Sequence, residues 1–305
     1  MRNPVPRHWP EYLMEGGLLG LFMISAAVVG VLLNHPESVV GSLALDPVLR
    51  RVLGGLAMGV TAVVLIHTPW GRQSGAHFNP AVTLSFWSLG RMRGRDVLGY
   101  LAGQFAGGFL GLLVARAMIG RALGDEPVQW VVTVPGSAGA GWAAFGEFGI
   151  AFLHFFAVLA LSNYPRLSPF TGWIAGLLVA TWIVVEGPLS GMSMNPARTF
   201  ASALPSGIWT GGWIYFTAPV LGMLAAGFVF STIRKSRPLA CPKLIHSPNH
   251  RCIFCGHRMA ADVPFPSDAS RRRTLVQPSG EHGFEHRGSD GRRPGAGVVT
   301  DPFVS

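Results

Sequence analysis

The sequence predicts an all-α membrane protein with six transmembrane helices and two re-entrant half-helices arranged as an inverted repeat. Of its 305 residues 49% are hydrophobic and only 13% are charged, which is too little charge for a soluble surface of this size. Six apolar runs are each near the length that crosses a hydrocarbon core of roughly 30 Å. Between these runs the tripeptide Asn-Pro-Ala occurs twice, in matching positions.

The six apolar runs are the predicted transmembrane spans. They cover residues 12–33, 48–66, 97–119, 142–161, 170–185 and 209–230. The first run contains Glu15 and lacks a small-residue cleavage site followed by a soluble domain, so we interpret it as a retained span rather than a signal peptide. Six spans place both termini on one side of the membrane.

Basic residues in the loops indicate which side that is. Those sharing a side with the termini are Arg2, Arg7, Arg91, Arg93, Arg95, Arg166, Arg234, Lys235 and Arg237, and those on the other side are Arg50, Arg51, Arg116 and Arg121. Because short cytoplasmic loops are enriched in Lys and Arg, we expect both termini in the cytoplasm. Since no sorting signal stands out, the expected location is a plasma membrane of the bacterial inner-membrane type.

Two segments between the spans resemble each other. Residues 74–83 and 190–199 match at Ser, Gly, Asn, Pro, Ala and Thr, and they follow the second and the fifth span. Each segment therefore holds the same place in a three-span half, about 8–120 and 140–233, and the two halves must have opposite orientations in the bilayer. The sequence thus predicts an inverted repeat.

The Asn-Pro-Ala tripeptide has the chemistry of a helix start. Its two copies are Asn79-Pro80-Ala81 and Asn195-Pro196-Ala197. Asn caps free backbone N–H groups, Pro tolerates the first helical position because no N–H is needed there, and Ala continues the helix. Each copy begins a half-span, which ends before Gly90 in the first half and at about Leu204 in the second. Inverted symmetry brings the two N-termini together at mid-bilayer, where their partial positive charges oppose cations.

Each half also has a glutamate early in its first span, Glu15 and Glu147. A carboxylate at membrane depth is costly unless hydrogen bonds satisfy it inside the protein. We interpret both as acceptors for the non-helical backbone of the re-entrant segment in their own half. The alternative is a proton relay or a solute ligand.

On these residues the chain resembles the aquaporin or major intrinsic protein family, over roughly residues 8–233. The matching positions are residues 74–83, residues 187–198, Glu15, Glu147 and Gln104. The resemblance implies a right-handed bundle of six tilted helices and two half-helices, usually a homotetramer with one pore per subunit. It also implies a passive channel in the lipid bilayer for water, for small uncharged solutes such as glycerol, urea or a metalloid acid, or for both. The two Asn-Pro-Ala motifs would form its constriction and exclude ions and protons.

The same resemblance implies a selectivity filter. Local matches assign it to Met58, Ile183, Met192 and Arg198. The Arg198 guanidinium would donate to a solute oxygen and repel cations. Water-selective members pair this arginine with an aromatic residue and a histidine, and both are absent here, so we expect an apolar, wider passage. Thr199 and Ala203 stand where glycerol-conducting members usually have an acidic and a basic residue, so the sequence does not identify the chain as a glycerol facilitator.

Two further polar residues lie near the motifs. His77 stands two residues before Asn79, where the family often has a histidine near the inner mouth of the pore. We expect a hydrogen bond within its loop, with a pH-sensitive or metal-sensitive gate as the alternative. For Glu186, at the end of the fifth span, we expect a place at the membrane interface, with attraction of solutes to the outer vestibule as the alternative.

The chain changes character after the last span. Residues 1–233 are the predicted channel domain, and residues 234–305 are a predicted cytoplasmic tail, expected to be disordered outside its Cys/His cluster at 241–257. The spacing within this cluster predicts a zinc site of Cys241, His246, Cys252 and Cys255, with His250 or His257 as substitutes. The alternative is a pair of reduced thiols in a flexible tail. With zinc bound, the chain would be a channel with a regulatory tail that acts as a sensor or docking module.

Other classes of protein fit less well. A secondary transporter of a small neutral solute also uses inverted repeats and broken helices, but it needs ion or proton sites and a rocking unit, and the acidic residues here are few. An enzyme is not expected, because no nucleotide loop, nucleophile–base pair or metal-hydrolase motif stands out. Transport itself needs no cofactor, and no nucleic-acid partner is expected.

Overall fold

The computed structural model describes residues 8–43, 45–234, 239–247 and 249–257, and within them the protein is all-helical. Its α-helices are α1 (Trp9–Asn34), α2 (Pro47–His67), α3 (Pro69–Ser74), α4 (Pro80–Ser88), α5 (Gly94–Ile119), α6 (Ala140–Ser162), α7 (Thr171–Val185), α8 (Gly187–Ser190), α9 (Pro196–Ser206) and α10 (Gly212–Arg234). Short 3₁₀ turns lie at Gly41–Leu43, Gly120–Leu123, Gln129–Val131 and Ser168–Phe170. This architecture confirms the predicted fold class.

Six of these helices are long and apolar enough to cross a membrane. They are α1, α2, α5, α6, α7 and α10, with α5 and α7 extended by their adjoining 3₁₀ turns. The sixth span begins at Gly212 and not at residue 209 as predicted, because Gly207 and Gly211, at φ 70° and 64°, turn the chain between α9 and α10. All six predicted spans are confirmed.

The half-helices α4 and α9 begin as their capping chemistry requires. The Asn79 side chain accepts a hydrogen bond from the backbone N–H of Ala81, and a proline follows each asparagine at the first helical position. α9 runs to Ser206, two residues beyond the predicted end, because Pro205 lies within its last turn and Gly207, in the left-handed region, supplies the C-cap.

Small residues let the spans approach closely. A Cβ atom on Gly16 of α1 would lie 2.7 Å from the Gly103 carbonyl oxygen of α5, and one on Gly59 of α2 would lie 2.7 Å from the Gly176 carbonyl oxygen of α7. Close backbone contact of this kind is how membrane helices associate when lipid gives no hydrophobic drive. The packed helices hold α4 and α9 at the centre of the bundle.

Residues 239–247 and 249–257, which we call the tail segment, pack against one end of this bundle. The Arg251 guanidinium contacts the Glu11 carboxylate at the start of α1, and the Ala240 N–H donates to Asn163, just after α6, at 2.7 Å. We call this end of the bundle the tail side and the opposite end the filter side. The disorder predicted for the remainder of the tail concerns residues 258–305, which lie outside the described residues.

Candidate pore and metal centre

A cavity of about 210 Å³, here called the inner cavity, occupies the centre of the helical bundle. Both asparagines of the repeated motif line it, together with the loop residues that precede them, 76–78 and 191–194. A second cavity of about 410 Å³, the outer cavity, lies on the filter side and is lined by Asn34, Arg50 and Arg51 among others. Together the two cavities trace a lumen along the bundle.

The inner and outer cavities share four lining residues, Ala26, Met58, Ile183 and Arg198. Three of these belong to the filter predicted from the sequence. The fourth predicted filter residue, Met192, lines the inner cavity but not the outer one. Ala26 escaped prediction because a small residue on a membrane span ordinarily indicates helix packing. The junction is therefore walled by apolar side chains and one guanidinium.

Arg198 presents a hydrogen-bond donor at this junction. Its backbone N–H donates to Asn195 Oδ1 at 3.2 Å, which fixes the residue in the first turn of α9. Its Nη1 atom is buried and has no hydrogen-bond partner among the described residues. A buried guanidinium N–H without a partner is costly, so a solute oxygen in the lumen would be a favourable acceptor.

The two asparagine amides are held by each other's loops. Asn79 Nδ2 donates to the Met194 carbonyl at 2.9 Å, and Asn195 Nδ2 donates to the Phe78 carbonyl at 2.8 Å. Each side-chain oxygen meanwhile caps its own half-helix. Since an amide NH₂ group has two N–H bonds, each asparagine keeps one donor for the cavity that it lines.

Glu15 anchors the loop before Asn79. Its Oε1 accepts from the Ser74 hydroxyl at 2.6 Å and from the His77 N–H at 3.0 Å. Its Oε2 accepts from the Phe78 N–H at 2.6 Å and from Gln104 Nε2 at 2.8 Å. The carboxylate thus meets four donors while fully buried, which is how a charge at this depth is stabilised.

Glu147 repeats this arrangement in the second half. Its Oε1 accepts from the Ser190 hydroxyl at 2.8 Å and the Ser193 N–H at 2.6 Å, and its Oε2 accepts from the Met194 N–H at 2.7 Å. Met192 and Met194 have φ of 51° and 52°, a strained conformation for side chains of this size. The buried carboxylate therefore holds a loop that would not adopt this shape unaided.

His77 bonds beyond its own loop. Its Nδ1 lies 3.1 Å from Thr83 Oγ1, and its Nε2 lies 2.9 Å from the carbonyl oxygen of Pro242 in the tail segment. Thr83 lies in α4 and Pro242 in the tail segment, so neither ring contact is the bond within the loop that the sequence led us to expect. Glu186, directly after α7, is buried with 5% exposure and lines neither the inner nor the outer cavity. Its expected place at the membrane interface stays a prediction.

The tail segment gathers the predicted metal ligands. One ligand atom from each of Cys241, His246, Cys252 and Cys255 can be chosen so that all four lie within 4.8 Å of one another. His246 Nε2 is 3.3 Å from Cys255 Sγ, close to the separation of roughly 3.5 Å for a nitrogen and a sulfur bound tetrahedrally to one zinc ion. The turn after Cys252 is closed by the Gly256 N–H, which donates to the Cys252 carbonyl at 3.0 Å.

Lys243 supplies a positive charge beside this cluster. Its ammonium is buried and donates to the carbonyls of Arg72, Gln73 and Arg251 at 3.2, 2.8 and 3.2 Å. The hydrogen bond from the Cys241 side chain and, after it, the Lys243 charge outweigh burial and lower the pKa of the Cys252 thiol to about 4. Both effects favour the thiolate, the form that binds metals.

The chain is similar to known proteins in both sequence and structure. Residues 13–230 match the sequence profile of the family described as Major intrinsic protein. A putative aquaporin NIP4-1 of Arabidopsis thaliana is 36% identical over 177 residues, covering 58% of this chain and 60% of that protein. A probable aquaporin AqpM of Archaeoglobus fulgidus is 34% identical over 187 residues, covering 59% and 76%.

A solved structure gives the same fold. The X-ray structure of the aquaglyceroporin from Plasmodium falciparum matches with a TM-score of 0.60 at 18% identity, and the match covers 74% of this chain and 96% of that one. The matches to three plant relatives cover 60%, 66% and 61% of the length of those proteins. The family match ends at residue 230, before the tail segment.

Proposed function

Because this chain belongs to the major intrinsic protein family, we propose that it is a passive channel for water and small uncharged solutes that excludes ions and protons. The observation that carries the proposal is the lumen, in which two asparagine amides and the free Nη1 of Arg198 offer donors within an otherwise largely apolar wall. Such a lining accepts a neutral solute with an oxygen acceptor. Two half-helix N-termini and a guanidinium repel cations along the same path.

The proposal also covers the oligomeric state of the channel, its membrane and its orientation. We propose a homotetramer with one pore per subunit, the arrangement usual in the family. The proposed orientation, with both termini in the cytoplasm, is supported by the excess of loop arginines on the tail side, such as Arg91, Arg93 and Arg95. A bacterial-type inner membrane stays a prediction from the sequence. Residues 1–233 would then be the channel domain and residues 234–305 a cytoplasmic tail.

The filter composition leads to a prediction about selectivity. Met58 and Ile183 are apolar where water-selective relatives narrow the pore, so the channel should pass water and at least one larger solute among glycerol, urea and an undissociated metalloid acid. Replacing Ile183→His adds bulk and a donor at the junction of the two cavities, and should lower the ratio of larger-solute to water permeability by roughly tenfold.

Stopped-flow light scattering of proteoliposomes measures the permeability to water and to the larger solute. A chelator removes any bound zinc beforehand. Ile183→Val, which keeps the position apolar and similar in size, is the matched control and should retain the parent ratio. Equal loss of water and of the larger solute in Ile183→His, or a parent that passes no larger solute, would show that the filter assignment is wrong.

We also propose that the tail segment binds one zinc ion through Cys241, His246, Cys252 and Cys255. Zinc with three thiolates and a neutral imidazole carries a net charge of about −1, and the buried Lys243 ammonium beside the thiolates supplies the balancing charge. Three backbone carbonyls hold this ammonium in place. A charged group positioned next to the ligands is a usual part of a metal site.

Protein purified without chelators should contain about one zinc ion per chain by elemental analysis. Cys252→Ser removes a thiolate and should lower the zinc content at least tenfold after dialysis, as loss of one ligand of four weakens binding by about this factor or more. His250→Ala is the control, because His250 lies in the same segment but outside the cluster. No zinc in the parent, or equal zinc in Cys252→Ser, would contradict the proposal.

A further inference from the structure

One residue of the tail segment, Leu244, lines the inner cavity. The Leu244 side chain lines this cavity together with Ile66, Val158 and Ala175. A separate cavity of about 270 Å³ lies on the tail side and is lined by Arg72, Ser162 and most of the residues from 240 to 247. Among the described residues, Leu244 alone lines both cavities. One buried leucine, with 6% exposure, thus stands between the lumen and the space beneath it.

Hydrogen bonds fix the segment around Leu244 to the loop that carries the first asparagine motif. The Leu244 N–H donates to the Gly75 carbonyl at 3.1 Å. On the preceding residue, the Lys243 ammonium donates to the Gln73 carbonyl at 2.8 Å. His77 Nε2 lies 2.9 Å from the Pro242 carbonyl and donates to it. Three successive tail residues are therefore bonded to the end of α3 and to the loop that follows it.

A charged contact and an aromatic contact hold the other half of the segment. Arg251 binds the buried Glu11 carboxylate with two hydrogen bonds, Nε to Oε1 at 2.8 Å and Nη2 to Oε2 at 2.7 Å. The Phe254 ring stacks on His77 at 6.4 Å between centroids. The segment is thus complementary to the channel end in charge and in apolar surface.

Two of the proposed metal ligands flank the part of the tail segment that contains Leu244. Leu244 lies in the four-residue loop between Cys241 and His246, so a bound ion would tie both ends of that loop. The described residues of the tail segment contain no helix or strand. Because the segment has no secondary-structure ladder, its order depends on these contacts and on metal binding, which would supply a further part of the ordering free energy.

We propose that zinc bound at Cys241, His246, Cys252 and Cys255 holds Leu244 as a plug in the tail-side mouth of the pore, so that the channel is closed with zinc and opens when zinc is removed. The proposal rests on the zinc site proposed above. The ion is accessible to a chelator because His246 and Cys255 are exposed.

The test uses the full chain in proteoliposomes. Water permeability is measured by stopped flow with zinc present and after treatment with a membrane-permeant zinc chelator, which reaches both orientations of the protein. If the plug closes about nine pores in ten, chelation raises water permeability about tenfold. Leu244→Ala, which shortens the plug, should give the same rise with zinc still bound, and chelation should add less than about twofold to it.

Leu239→Ala is the matched control. This leucine also packs on the channel from the tail segment but does not line the inner cavity, so the variant should stay closed with zinc and open on chelation. Cys255→Ser removes one of the proposed zinc ligands, so this variant should stay open at zinc concentrations that saturate the parent protein.

The outcomes separate the proposals. A parent that holds zinc, but whose permeability responds neither to chelation nor to Leu244→Ala, overturns the plug and leaves the zinc site standing. A parent without zinc whose permeability rises in Leu244→Ala overturns the control by zinc. If Leu244→Ala, Cys255→Ser and chelated parent all match empty liposomes, the channel proposal fails, and the gate with it.

Discussion

Replacing Arg198→Leu should raise the leak of sodium ions and protons through the channel by roughly 10-fold to 1000-fold, because it removes the fixed positive charge at the junction of the two cavities. Two unit charges about 4 Å apart repel by about 4 kcal/mol at an effective dielectric constant near 20, which corresponds to about three powers of ten. Water in the lumen screens part of this, which sets the lower end of the range.

The leak is measured as the decay of a pH or sodium gradient in proteoliposomes after chelation of zinc. Arg51→Leu is the matched control, because it removes the same charge from a residue that lines the wider outer cavity and not the inner one. Its leak should stay within about twofold of the parent's, since more water and salt in the wider outer cavity screen this charge. An equal leak in parent and Arg198→Leu would mean that the guanidinium is not part of the ion barrier.

The fold was predictable because its signals are local. Span length follows from runs of apolar residues, and the helix starts follow from the capping chemistry of Asn79 and Asn195, which depends only on their neighbours in sequence. The inverted repeat was visible as two matching segments. Boundaries were less predictable where a single residue decides them, as Gly207 and Gly211 do between α9 and α10.

The junction of the cavities was predictable only in part. Arg198 is marked by its place after the motif, whereas Ala26 has no signal, since a small residue on a span is ordinary. The sequence gives no signal for the docking of the tail segment either. Docking depends on pairs of residues that are distant in sequence, such as Arg251 with Glu11 and Pro242 with His77. Spacing predicted which tail residues could bind a metal together, but not that they lie beneath the pore.

Replacing Glu147→Gln should disrupt the second half of the pore. The carboxylate accepts three hydrogen bonds and donates none. Glutamine keeps one acceptor oxygen, and its NH₂ group must face either the Ser193 N–H or the Met194 N–H, so at least one buried N–H is left without an acceptor at a cost of about 1–3 kcal/mol. The strained loop at Met192 and Met194 then loses the contact that holds it, and Asn195 shifts in the lumen.

We expect water permeability in zinc-free proteoliposomes to fall at least about tenfold in Glu147→Gln, because a small displacement of a narrow constriction blocks the file of solutes. The melting temperature in detergent should fall as well, since the lost hydrogen bonds stabilise the fold. Glu37→Gln changes an exposed carboxylate in a loop, is the matched control and should leave both quantities unchanged.

The equivalent change Glu15→Gln in the first half should reproduce the defect, because its carboxylate accepts backbone N–H groups in the same pattern. If Glu147→Gln kept the parent's permeability and melting temperature, the carboxylate would not be what holds the Asn195 loop, and the basis for its burial would have to be sought in solute or proton transfer.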